Sequence, residues 1–176
     1  MKILPTLRKP LAALLLLCSC EGVVFDSSLP DFPVNFSCSL VQAPYVVITT
    51  PNQYFSIQRN TNGSCSGITS TGESFSASKY DYRLGYGGLI VGNSPFNGYC
   101  AFDAACPYDY KNERKKVSVE LQTDGIGKAI CPECGTEYDL NNGGIPVKGD
   151  SDERLRPYQT HLSTSIGGNE ELIVTN

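Results

Sequence analysis

Tryptophan is absent from this sequence, and histidine and methionine each occur only once. A single histidine leaves little for general acid–base work, and no nucleophile–base pair is visible, so nothing here reads as a catalyst. Long apolar runs are missing as well. The longest, Leu11 to Leu17, is far too short to cross a hydrocarbon core of ~30 Å as a helix. No segment sustains a helical period, and no internal repeat is visible. A net charge of -4 argues against a nucleic-acid partner.

What is present begins at the N-terminus. Lys2, Arg8 and Lys9 precede the apolar run, and Leu17-Cys18-Ser19-Cys20 ends it. A basic stretch, a short apolar stretch and small residues at a cut describe an export signal. The last four residues resemble the bacterial lipoprotein signal, in which a cysteine after a small residue is acylated. Cys20 is the expected lipidation site, and residues 1–19 the removed signal. Acyl chains, at ~0.8 kcal/mol per buried methylene, would hold the protein to a membrane. The expected location is the cell envelope, facing the periplasm or the outside. Residues 20–33, with two Pro and few large side chains after Cys20, read as a tether. Residues 34–176 then have the length of one domain.

Ten Tyr, seventeen Gly and eleven Pro favour strands and turns. Val34, Phe36, Cys38 and Leu40 alternate with Asn35, Ser37 and Ser39, the period of a half-buried strand. Tyr45 to Thr49, Tyr54 to Ile57, Leu89 to Val91 and Gly98 to Phe102 read as further strands. So do Val117 to Leu121, Ala129-Ile130, Leu155 to Tyr158 and Leu172 to Val174. Gln58 to Gly88 reads as a long loop or an irregular hairpin, ending in the flexible Gly85-Tyr86-Gly87-Gly88. Asp124-Gly125 is a turn signal. The expected class is all-β.

Six cysteines follow Cys20: Cys38, Cys65, Cys100, Cys106, Cys131 and Cys134. Outside the cytoplasm paired cysteines default to disulfides. Cys38 and Cys65 are disulfide candidates, with each other or one of them with Cys100. Cys131-Pro132-Glu133-Cys134-Gly135 points elsewhere. Its spacing lets both sulfurs face one ion, Pro132 fixes the backbone entering the turn, and Gly135 permits a positive φ. Such a knuckle serves iron–sulfur clusters, rubredoxin-type iron and zinc alike.

The run Cys131-Pro132-Glu133-Cys134-Gly135-Thr136-Glu137-Tyr138-Asp139, followed by Gly144, Pro146, Leu155 and Tyr158, resembles the second cluster loop of Rieske-type [2Fe–2S] domains. Ala101-Phe102-Asp103-Ala104-Ala105-Cys106-Pro107-Tyr108 resembles the first. The resemblance covers roughly the C-terminal half, and it implies a Rieske-like (ISP-type) β-sandwich with a small cluster-loop subdomain over about residues 99–150. The departure is equally plain. A Rieske centre needs two His ligands, and the only histidine here, His161, lies far from both loops. Tyr108 and Cys134 stand at the histidine positions. The resemblance therefore implies Cys106, Cys131 and Cys134 as ligands, with Tyr108 at the family position of the fourth. Asp109, where a rubredoxin-like knuckle would place its second ligand, Cys100 from the preceding strand, and water or nothing are the alternatives.

Two functions follow as expectations. One is electron transfer or redox sensing through a cysteine-rich [2Fe–2S] site, with a redox partner protein. The other is a cluster-free structural or binding lipoprotein whose loop cysteines hold zinc or form disulfides.

Overall fold

Alternation along three strands decides where everything else sits. In the computed structural model, which describes residues 26–77, 82–124, 127–164 and 168–176, those strands are buried on both faces. The export signal, Cys20, the first part of the tether and Gly125 lie outside the described residues.

In chain order the strands are β1 (Val34–Ser39), β2 (Gln53–Arg59), β3 (Cys65–Thr69), β4 (Ser74–Ala77), β5 (Arg83–Leu84), β6 (Leu89–Ser94) and β7 (Gly98–Asp103). One helix follows, α1 (Pro107–Glu113), and then β8 (Glu120–Leu121), β9 (Lys128–Ile130), β10 (Glu137–Asp139), β11 (Ile145–Lys148), β12 (Pro157–Thr164) and β13 (Glu170–Thr175). Nine strands form one sheet in the order β4-β3-β2-β6-β7-β12-β13-β1-β5, and four form another in the order β11-β10-β9-β8. The pairings throughout both sheets are antiparallel. The fold is all-β, as expected, with a single short α-helix among the described residues. No helix among the described residues is long and apolar enough to cross a membrane.

The large sheet curls. Phe36 and Leu84 from one end share a core with Phe55, Ile57 and Cys65 from the other, together with Leu89, Val91, Ala101, Leu172 and Val174. The intervening residues of β2, β6 and β7 face the other way. Tyr54, Ile90 and Phe102 pack with Ala129, Tyr138, Leu140 and Leu155 in a second core beneath the small sheet. Register aligns the two sets, Ser56 with Ile90 and Ile90 with Phe102 on one face, Phe55 with Val91 and Val91 with Ala101 on the other. Gly92 makes room for this arrangement: a Cβ there would lie 2.0 Å from the Tyr54 ring.

Two segments depart from their sequence expectation. Tyr45–Thr49 is a 3-10 helix, not a strand. Its apolar run fits either period, and the i, i+3 pair Tyr45 and Ile48 turns toward the core while Val46 faces solvent. Val117 to Leu121 pairs only at Ser118, which bridges Ala105, and in the two-residue β8. The stretch read as loop or hairpin holds a hairpin, β3–β4, turning at Gly72 with φ +86°. Residues 26–33 lie along the domain. Leu29 is buried, Ser28 N–H donates to Glu153, and Phe32 stacks on Tyr86 with centroids 4.7 Å apart.

Candidate metal centre

Two chain reversals meet at the second core. The first is the exit from β7. Asp103, fully buried, ends that strand and gathers four donors. Its Oδ2 accepts from Tyr86 N–H at 2.6 Å and from the Tyr158 hydroxyl at 2.7 Å. Its Oδ1 accepts from Gly87 N–H and Ala105 N–H, both at 2.8 Å. The glycine run expected to be flexible is therefore a cradle for a carboxylate, and a Cβ on Gly85 would lie 2.4 Å from Asp103 Oδ2. Three residues later the chain reaches Cys106, which caps α1. Pro107 starts the helix, where a missing N–H costs nothing. Seven residues are too few to show a period in the sequence, so the helix was not anticipated. It carries Asp109 inward.

The second reversal is the knuckle between β9 and β10. Gly135 takes φ +70°, and its N–H donates to the Cys131 carbonyl at 3.0 Å. Cys131 N–H returns to the Thr136 carbonyl at 2.9 Å. This turn brings Cys131 and Cys134 up against Cys106 and Asp109.

One ligand atom from each of Cys106, Asp109, Cys131 and Cys134 lies within 4.8 Å of all the others. The Cys106 and Cys134 sulfurs are 3.6 Å apart, and the Cys131 thiol donates to Asp109 Oδ2 at 2.9 Å. Cys106, Cys131 and Asp109 are buried, while Cys134 is partly exposed. Two hydroxyls support the sulfurs. Tyr138, fully buried on β10, holds its hydroxyl 3.4 Å from Cys106, and the Thr136 hydroxyl is 3.2 Å from Cys134.

Of the residues singled out in the sequence, the structure brings together Cys106, Cys131, Cys134 and Asp109. Tyr108 sits on α1 and packs at the edge of the second core. Cys100 stands apart on β7, with its sulfur 3.9 Å from the Tyr54 hydroxyl and 3.8 Å from the Gly92 carbonyl. Cys38 and Cys65 share the first core, near Tyr45 and Tyr82. The sheet stands between that pair and Cys100. His161 lies exposed on β12. Asp103 and Tyr138 are functional neighbours to which no motif in the sequence gives a role. The Gly-rich run was the signal for Asp103, because successive N–H groups in such a run want an anion.

Burial raises the pKa of Cys106, against the opposing pull of the Tyr138 hydroxyl. Burial, then the Asp109 carboxylate, pushes the Cys131 thiol up to about 12. Crowded thiols with a carboxylate among them strongly disfavour their own ionisation. A divalent cation reverses that preference, because it binds the thiolates.

The donors can be tested against the group that the loops imply. One tetrahedral ion with metal–sulfur bonds of ~2.3 Å spaces its sulfurs by about 3.8 Å, close to the separation of Cys106 and Cys134. A two-iron cluster inserts bridging sulfides between its metals and holds its end ligands farther apart. The mutual spacing here is that of one ion, and no histidine is near. The standard Rieske centre does not fit these residues. Three soft sulfurs and one carboxylate within 4.8 Å of one another could hold a single metal ion. The chain matches no protein-family model and no curated protein.

Proposed function

We propose that this protein is a lipid-anchored, Rieske-like module of the bacterial cell envelope whose loops hold one zinc ion in a closed, non-catalytic site. The observation that carries the reading is the mutual approach of Cys106, Asp109, Cys131 and Cys134 within 4.8 Å. Three thiolates and a carboxylate fill all four tetrahedral positions, which is the pattern of structural rather than catalytic zinc. The ion would tie the exit of β7 to the β9–β10 knuckle and so fix the whole end of the domain. Anchoring rests on the signal pattern that ends at Cys20, and acylated Cys20 is the expected N-terminus by mass spectrometry of the membrane fraction.

A second reading, an electron carrier with a [2Fe–2S] cluster and a redox partner, draws on the order of strand, Cys-Pro loop, hairpin and Cys-Pro-x-Cys-Gly loop. It requires the four donors to spread. Metal and acid-labile sulfide in protein purified without oxygen separate the two. One zinc per chain without sulfide is expected. Iron and sulfide in equal amounts would establish the electron carrier instead, and absence of both would leave the loop cysteines as disulfide formers.

A further inference from the structure

We infer that Cys106 and Cys134 are an oxidisable pair whose disulfide expels the bound ion, which makes the site a peroxide-sensitive latch. The inference rests on the single-ion reading above and concerns the regulation of the same site.

Four observations point to this pair. Their sulfurs are 3.6 Å apart, and a disulfide bond needs ~2.05 Å, so closure asks for a movement of about 1.5 Å. Cys134 is the partly exposed member of the four, so an oxidant reaches it first. The space beside the knuckle is open on that side, since nothing lies within 4 Å of where a Cβ on Gly135 would be. Cys131, by contrast, is engaged with Asp109, to which its thiol donates at 2.9 Å.

The chemistry closes without further reactants than a peroxide. The Cys134 thiolate attacks one peroxide oxygen, the O–O bond breaks, and a sulfenic acid forms while hydroxide leaves and takes a proton. The Cys106 thiolate then attacks the Cys134 sulfur, the S–S bond forms, and the sulfenic oxygen leaves as a second hydroxide. Two thiolates, one hydrogen peroxide and two protons give one disulfide and two waters. The two sulfurs are oxidised and the peroxide is reduced. Only Cys131 and Asp109 then remain as donors, and two donors do not retain an ion that needed four.

The pairing matters for what survives. A Cys106–Cys134 bond joins the β7 exit to the knuckle, the same two segments that the metal joins. The end of the domain stays tied after the ion leaves, and reduction restores the binding form. A Cys131–Cys134 bond would close only the knuckle on itself and leave the two segments unlinked.

The test uses the full chain, kept in detergent and loaded with zinc, its metal content measured first. Hydrogen peroxide is added, released zinc is followed with a chromogenic chelator, and the disulfides are mapped by peptide mass spectrometry. One zinc released per chain, at the same rate as a Cys106–Cys134 linkage appears, is expected. Dithiothreitol with added zinc then reloads the site. A Cys131–Cys134 linkage, release with only sulfinic acids, or retention of zinc after peroxide each overturns the latch while leaving the zinc site standing. A chain that takes up no zinc before any oxidant is added defeats the zinc reading itself, and the latch with it.

Discussion

The two cores of this protein are built on opposite principles. The first, inside the curled sheet, is apolar and aromatic: Phe36 touches Tyr45, Phe55 and Tyr82 with centroids 4.7 to 6.0 Å apart. It needs nothing but exclusion of water. The second, between β2, β6 and β7 and the small sheet, buries Cys106, Asp109, Cys131 and the Tyr138 hydroxyl among its apolar side chains. Polar and ionisable groups in a core cost free energy unless something compensates them. One core is closed by apolar packing, and the other gathers four donors that could hold a cation.

Removing the metal should break that comparison most forcefully. Structural zinc is worth ~10–16 kcal/mol of apparent binding free energy in small zinc-folded peptides, and on the proposed zinc reading part of that would be folding energy of the loop end. After chelation, amide exchange over α1 and residues 128–140 should accelerate by orders of magnitude, while β1, β2 and β13 change little. Uniform acceleration in both regions would show that the cores are one cooperative unit. The converse substitution acts on the other side. Phe36→Ala should cost ~3–5 kcal/mol of global stability by denaturant unfolding, because Phe36 is fully buried against three rings. Zinc affinity in the folded protein should stay within a few-fold of wild type.

How much of this was legible follows the same division. The alternation Val34, Phe36, Cys38 gave β1 directly, because one period describes a strand with one wet face. β2, β6 and β7 were visible only as short apolar runs, since both faces are buried and alternation disappears. The knuckle announced itself through Cys131, Pro132, Cys134 and Gly135, whose chemistry is local. Asp109 could be named only as one of several fourth donors. Its selection depends on a seven-residue helix that no periodicity reveals, and on Asp103, which fixes where that helix begins.

Asp103 joins the two regions, so its substitution sharpens the contrast. It ties Tyr158 on β12 and the Gly85–Gly87 turn to Ala105, one residue before Cys106. Asp103→Asn keeps the shape but presents an NH2 group to a site made only of donors. Hydrogen bonds to a charged group are worth ~1.5–3 kcal/mol each, and a loss of that order in global stability is expected. Zinc affinity should fall as well, unlike in Phe36→Ala, because the strand exit that carries Cys106 loosens. Unchanged affinity in competition with a chelator would mean that Cys106 is held by α1 alone.

The most diagnostic effect is on pH. In the metal-free protein Cys106 and Cys131 have raised pKa values, Cys131 up to about 12, whereas unfolded thiols titrate at ~8.5. A group whose folded pKa is raised contributes its full stability below the unfolded pKa and loses it as pH climbs toward the folded value. Metal-free protein should therefore weaken from about pH 8.5 upward, by up to ~1.4 kcal/mol per pH unit for each thiol. Zinc-loaded protein should not, because its thiols are ionised in the folded state already. Near neutrality the coupling appears as affinity instead. Zinc must displace a proton from each of these two thiols, so affinity should rise at least about a hundredfold per pH unit between pH 6 and 8. Denaturant unfolding of both forms at pH 7 and 10, with chelator competition across the lower range, measures the two effects. Parallel pH profiles for the two forms would mean that the thiols of the second core are already ionised without the metal, and that the burial of Cys106 and Cys131 is not what the cation offsets.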